Sequence, residues 1–183
     1  MDLLALLQQY ARIALMMGKP QDLPAGTGQL HIAIVLSIVT YVLALASSRG
    51  VGVALLQACI EIGLSGLFLW VGLSLVNRTA RFAQAFGGLC GAYAMLQIVA
   101  IPILMTGNVN ELTPMVAFPR FFLLVWNLSI VGYVVRHTFE IGIFASIGVA
   151  FVFYLLMSAI LEMLFPTAAS QMAFLQASGA WVV

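Results

Sequence analysis

The sequence predicts an all-α integral membrane protein, a five-transmembrane-helix bundle preceded by an N-terminal amphipathic in-plane helix. Three observations carry this expectation. Hydrophobic residues fill 63% of the 183 positions and charged residues only 7%, against roughly 25% charged residues in soluble domains. Five separate runs reach the ~20 apolar residues that a helix needs to cross a bilayer. The alternating pattern of a membrane barrel is absent from those runs, and helices satisfy their own backbone groups in lipid.

The first span is expected over about 30–47, "LHIAIVLSIVTYVLALAS", and the second over about 51–76, ending at "NRTAR". The third covers about 82–105, "FAQAFGGLCGAYAMLQIVAIPILM", and is ended by "TGNVNE". The fourth covers about 115–135 and meets a polar turn, "RHTFE"; the fifth covers about 141–165 and stops at Pro166. Pro102 and Pro119 are expected to kink or end their helices, because proline removes a backbone donor and clashes with the preceding turn. Three units result: residues 1–29 with the surface helix and a Pro/Gly linker, 30–165 as the transmembrane domain, and 166–183 as a short uncharged tail.

Ahead of the first span, Leu3, Leu4, Leu7, Tyr10, Ala11 and Ala14 recur at helical spacing, with Gln8, Gln9 and Arg12 largely elsewhere. That pattern reads as a helix lying in the plane of the cytoplasmic surface. Gln8, Gln9 and Arg12 break the leucine run, and no basic region precedes it, so a cleavable signal peptide is not expected.

Five spans place Arg12, Lys19, Arg78, Arg81 and Arg136 on the N-terminal side, and Arg49 and Arg120 opposite. The positive-inside rule then puts the N-terminus in the cytoplasm and the tail outside. Phe174 and Trp181 would hold that tail against the outer surface. A net charge of +1 lacks the basic balance that nucleic-acid binding requires. Cys59 and Cys90 lie within apolar runs and read as small core residues. His31 and His137 have no second ligand at helical spacing, so neither a metal nor a cofactor is expected.

The polar residues inside the spans are the candidate site. Gln57, Glu61 and Ser65 fall at i, i+4 and i+8 on one face of the second span. At ~1.5 Å per residue Glu61 lies about 15 Å deep, near the bilayer centre. An acid there is costly, by roughly 2.5–3.5 kcal/mol, and should face the bundle interior or water. Two readings stand: a proton or cation site, or a neutral acid tying helices together through Gln57 or Gln97. Tyr154, Ser158 and Glu162 form a second stripe on the fifth span. Glu162 matches Arg120 in depth, which suggests an ion pair, with separate snorkelling to the interface as the alternative. Ala83, Gly87, Gly88 and Gly91 on the third span permit close helix approach, to an internal neighbour or to a second copy.

No nucleophile elbow, zinc helix, phosphate loop or haem-ligand pair is present, so an enzyme is not expected. The third span, "RFAQAFGGLCGAYAMLQIVAIPI", is rich in small residues with a proline near its end. The fourth, "FFLLVWNLSIVGYVVRHTFEIG", has a Trp followed by small and aliphatic residues and a short polar turn. With Gly88, Gly91, Pro102, Trp126 and Gly132 at the matching positions, residues 30–165 resemble the Yip (Ypt/Rab-interacting protein) domain family. The resemblance implies a non-enzymatic membrane protein. Eukaryotic relatives act in vesicle traffic with small GTPases. A long cytoplasmic N-terminal region is lacking here, which favours the bacterial inner-membrane type. The expected role is therefore scaffolding, assembly or membrane organisation through helix contacts, with the lipid bilayer and other membrane proteins or a second copy as partners. The competing expectations are a small transporter or channel using Glu61, and an accessory subunit of a larger membrane complex.

Overall fold

The computed structural model describes residues 2–105 and 114–166. Its elements are α1 (Leu3–Ala14), α2 (Thr27–Arg49), α3 (Val51–Leu75), α4 (Phe82–Met105), α5 (Pro114–Phe139) and α6 (Ile143–Leu164). Short 3-10 turns at Pro20–Asp22 and Thr79–Arg81 lead into α2 and α4. Helices α2 to α6 are the five that are long and apolar enough to cross a membrane. The chain is thus an all-helical, multi-pass membrane protein, with no strand among the described residues. The tail residues Phe174 and Trp181 lie outside the described residues, as does the connection 106–113.

The spans run up and down with minimal connections. A single residue, Gly50, separates α2 from α3 and stands at φ +78°, ψ 151°, a backbone region that is essentially glycine's alone. Three other helices end on left-handed residues that are not glycine: Met16 after α1, Asn77 after α3 and Glu140 after α5. Left-handed residues at this position end helices by redirecting the chain. Helix α5 therefore continues through "RHTF" to Phe139, where a polar turn was expected from about 136. Main-chain bonds within a helix are not lost to polar side chains, so polarity alone did not end it. Pro102 and Pro119 likewise lie inside α4 and α5 and terminate neither.

Helix α4 is the central column. Over its most apolar stretch 56% of residues are buried, against 22–33% in the other spans, so it is the helix the others pack around. Its run of alanines and glycines explains why, since small side chains bring neighbouring backbones close. A Cβ on Gly91 would sit 2.2 Å from the Tyr10 ring, and one on Gly87 would sit 2.5 Å from the Gln29 amide. Gly88 faces Pro20, Leu23 and Ile13. The small-residue face of α4 is therefore filled from within this chain, by α1, the linker and the start of α2.

This packing gives α1 a side that faces the bundle. Leu3 and Leu4, expected on the lipid face, are exposed, and the buried residues are Leu6, Tyr10, Ile13 and Ala14. They press on α4. The Tyr10 hydroxyl donates to the Gln29 carbonyl at 2.8 Å, and the Trp126 indole donates to the Ala14 carbonyl at 2.8 Å. The second bond satisfies one of the carbonyls that a helix C-terminus leaves without an internal partner. Burial, with Cys90 beside it, pushes the Tyr10 phenol up to about 12, so it remains a hydrogen-bond donor at every physiological pH.

The end of the bundle where α1 enters, here called proximal, is fastened by charge. Glu140 pairs with Arg78 at 2.5 Å and with Arg81 at 2.6 Å. Hydrogen bonds from Arg81 and Arg78 hold its carboxyl below the usual range. A depressed folded-state pKa gives stability that is present above the ordinary glutamate value of about 4.3 and lost as pH falls through the folded value. Thermal melts in detergent between pH 7 and pH 3 should therefore show a loss at the acid end that is smaller in Glu140→Gln. An identical acid profile in the variant would remove this pair from the account.

Candidate functional site

Three spans send polar side chains to one place. Glu61 from the middle of α3, Gln97 and Tyr93 from α4, and Asn127 from α5 stand between two cavities. The larger has a volume of about 300 Å³ and reaches toward the distal end, where Arg120, Tyr154 and Ser158 line it. The smaller, about 10 Å³, is bounded by Ser37, Tyr41, Ser65 and Cys90 as well as the shared four. Its size and polar walls suit a single water, which needs about that volume and two to four polar partners. Ser65 Oγ is buried and has no hydrogen-bond partner among the described residues, which is the kind of group such a water would satisfy.

The i, i+4 spacing on α3 does place Gln57, Glu61 and Ser65 on the interior face, with Gln57 and Ser65 buried. They do not form one cluster. Gln57 Oε1 accepts from Arg49 Nη1 at 3.1 Å, and the same nitrogen donates to the Phe165 carbonyl at 3.3 Å. This guanidinium ties the α2–α3 turn to the C-terminus of α6, where a cation is favoured by the helix dipole. The Tyr41 hydroxyl connects the two halves, lying within interacting reach of both the Gln57 amide and the Glu61 carboxyl. Ser65 serves the small cavity instead.

The stripes on α3 and α6 face one another across the large cavity through Glu61, Tyr154 and Ser158, and Phe153, which lines it, packs on the Phe68 ring with centroids 4.6 Å apart. Glu162, one turn beyond Ser158, is exposed and does not line the cavity, whereas Arg120 does. Gln97, expected as a possible tie for Glu61, lines both cavities with it.

Four residues of this centre escaped the sequence reading: Ser37, Tyr41, Tyr93 and Asn127. Ser37 and Tyr41 carried a usable signal, an i, i+4 pair facing inward on the first span. Asn127 is an amide in the middle of the fourth span. Tyr93 gave no signal, since an aromatic in an apolar run is ordinary. Among the described residues no group of three or more His, Cys, Asp or Glu side chains could hold a metal ion.

Comparisons with family models, with curated proteins and with solved structures found no match. The geometry of the polar centre is therefore the ground on which a function can be argued.

Proposed function

We propose that this chain is a non-enzymatic membrane protein that binds a proton or small cation at Glu61, in the manner of a small transporter or channel. One observation carries the reading: Glu61 forms part of the wall between an enclosed polar cavity and a larger one lined by Arg120, Tyr154 and Ser158. A carboxyl serving only to tie helices together has no need of a 300 Å³ space beside it. Arg120 in the same cavity opposes metal cations approaching from the distal side by like-charge repulsion. The proton is the favoured ligand because it binds to a single carboxyl, and among the described residues no group of three or more His, Cys, Asp or Glu could hold a metal ion. Arg120 forms the distal rim of that cavity. The lysine and arginine distribution supports a cytoplasmic proximal end.

Access to Glu61 is testable with a hydrophobic carbodiimide, which reacts with protonated carboxyl groups within membranes. Peptide mapping should find Glu61 modified in the folded protein. Modification that occurs only after denaturation would mean that the cavity does not open to it.

A second reading, a Yip-like scaffold or accessory subunit, is favoured by the outer face of α3. Cys59 is exposed there, and nothing lies within 4 Å of a Cβ placed on Gly63, so a neighbouring helix could approach closely. A bismaleimide applied to native membranes should join two copies through Cys59 if this face pairs with itself. A product that stays monomeric would count against self-association on this face.

A further inference from the structure

A second large cavity lies away from Glu61, between α5 and α6 toward the proximal end. It measures about 290 Å³ and is lined by Val125, Leu128, Ile143 and Ile147, with Arg136 and Tyr133 toward its proximal end. The trough exists because its floor is small: Ser129, Gly132 and Ser146 lie between the larger side chains. Those serines do not make it polar. Ser129 Oγ donates to the Val125 carbonyl at 2.7 Å and Ser146 Oγ to the Ile143 carbonyl at 2.8 Å, so each is spent on its own helix. Val125, Ile143 and Ile147 are exposed on the outside of the bundle, which in a spanning protein is the lipid side.

The cation in the trough itself is Arg136, and Tyr133 beside it also feels the carboxyl of Asp22. Arg136 is exposed, Lys19 stands with it within electrostatic reach of His137, and Asp22 is the acid that faces the same group. The carboxyl Asp22 Oδ2 accepts the Lys19 backbone N–H at 2.9 Å, which leaves the Lys19 ammonium free of that bond. An apolar trough in the hydrocarbon layer, ending at the Arg136 guanidinium where headgroups lie, has the chemistry of an anionic phospholipid: acyl chain along the trough, phosphate at Arg136. A zwitterionic lipid fills the trough equally well but brings no net charge to Arg136.

We infer that the α5–α6 trough is a binding site for one anionic glycerophospholipid, its acyl chain over Gly132 and its phosphate at Arg136. The test uses the full chain purified in neutral detergent, titrated with phosphatidylglycerol or with phosphatidylcholine of the same acyl chains. Phosphatidylglycerol should raise the melting temperature by about 4 °C or more beyond the phosphatidylcholine effect at saturation. Arg136→Gln should abolish that difference. Ile147→Trp, an exposed position that fills the trough from the lipid side, should reduce the response to both lipids. Glycerol phosphate, which offers the charge without the chain, should give no shift. Equal stabilisation by the two lipids, or a preference that survives in both variants, would overturn the assignment, as would a response to glycerol phosphate as large as that to the lipid.

Discussion

Gly91→Ala is expected to be the most damaging small substitution in the chain. A single methyl there would stand 2.2 Å from Tyr10 Cδ1 and 2.3 Å from Cγ, closer than non-bonded atoms approach. The ring cannot slide aside, because Tyr10 is fully buried and its hydroxyl is held by the Gln29 carbonyl. Either α1 lifts from α4, releasing Tyr10, Ile13 and Ala14 together, or α4 bends. Overpacking of this kind costs about 1–3 kcal/mol in well-packed cores, and loss of the Tyr10 contacts adds to it. The buried thiol of Cys90, next to Tyr10 in the packing, reports the event. In a Cys59→Ser background, Gly91→Ala should make Cys90 react with a maleimide at a temperature well below that of the parent. Gly63→Ala, where the new methyl meets only open space, should leave the labelling curve in place. Unchanged Cys90 protection in Gly91→Ala would show that α1 is not seated on α4 as described.

The second large effect is expected at Glu61, where stability and function should separate. Glu61→Leu removes the group that faces the Tyr41 hydroxyl and stands beside Gln97 and Asn127. Polar groups left unpartnered inside a protein cost about 1–3 kcal/mol, so this variant should melt at a lower temperature. Glu61→Gln keeps a hydrogen-bonding side chain of the same shape and should melt close to the parent. It cannot bind or release a proton, so any transport that depends on the carboxyl should be lost. Equal melting temperatures for the leucine and parent proteins would mean that Glu61 makes no structural contact of consequence.

The spans were legible because lipid imposes a simple rule, an unbroken apolar length, and α2 to α6 obey it to within a few residues. Helix ends were harder. Phe139 ends its helix at the left-handed Glu140, which polarity does not report, whereas α6 ends at Leu164, two residues before the Pro166 that the sequence offers as its stop. The small residues at Gly87, Gly88 and Gly91 advertised a close contact but not its partner. Tyr10 and Gln29 are more than fifty residues away, and nothing local in either segment points to α4. The same limit applies to the polar centre. Glu61 stood out because an acid is rare in an apolar run, and its helical companions followed from periodicity. That Gln57 turns away to Arg49, while Tyr41, Tyr93 and Asn127 take the places around Glu61, depends on how three other helices pack.

The central claim, that Glu61 handles protons within the bundle, is tested most directly by proton uptake into proteoliposomes holding a trapped pH-sensitive dye. An imposed pH gradient should drive uptake in the parent protein well above protein-free vesicles, and Glu61→Gln should lower it at least tenfold, about 1.4 kcal/mol in barrier terms, with its melting temperature unchanged. Parent uptake no greater than that of empty vesicles, or undiminished uptake by Glu61→Gln, would contradict the claim.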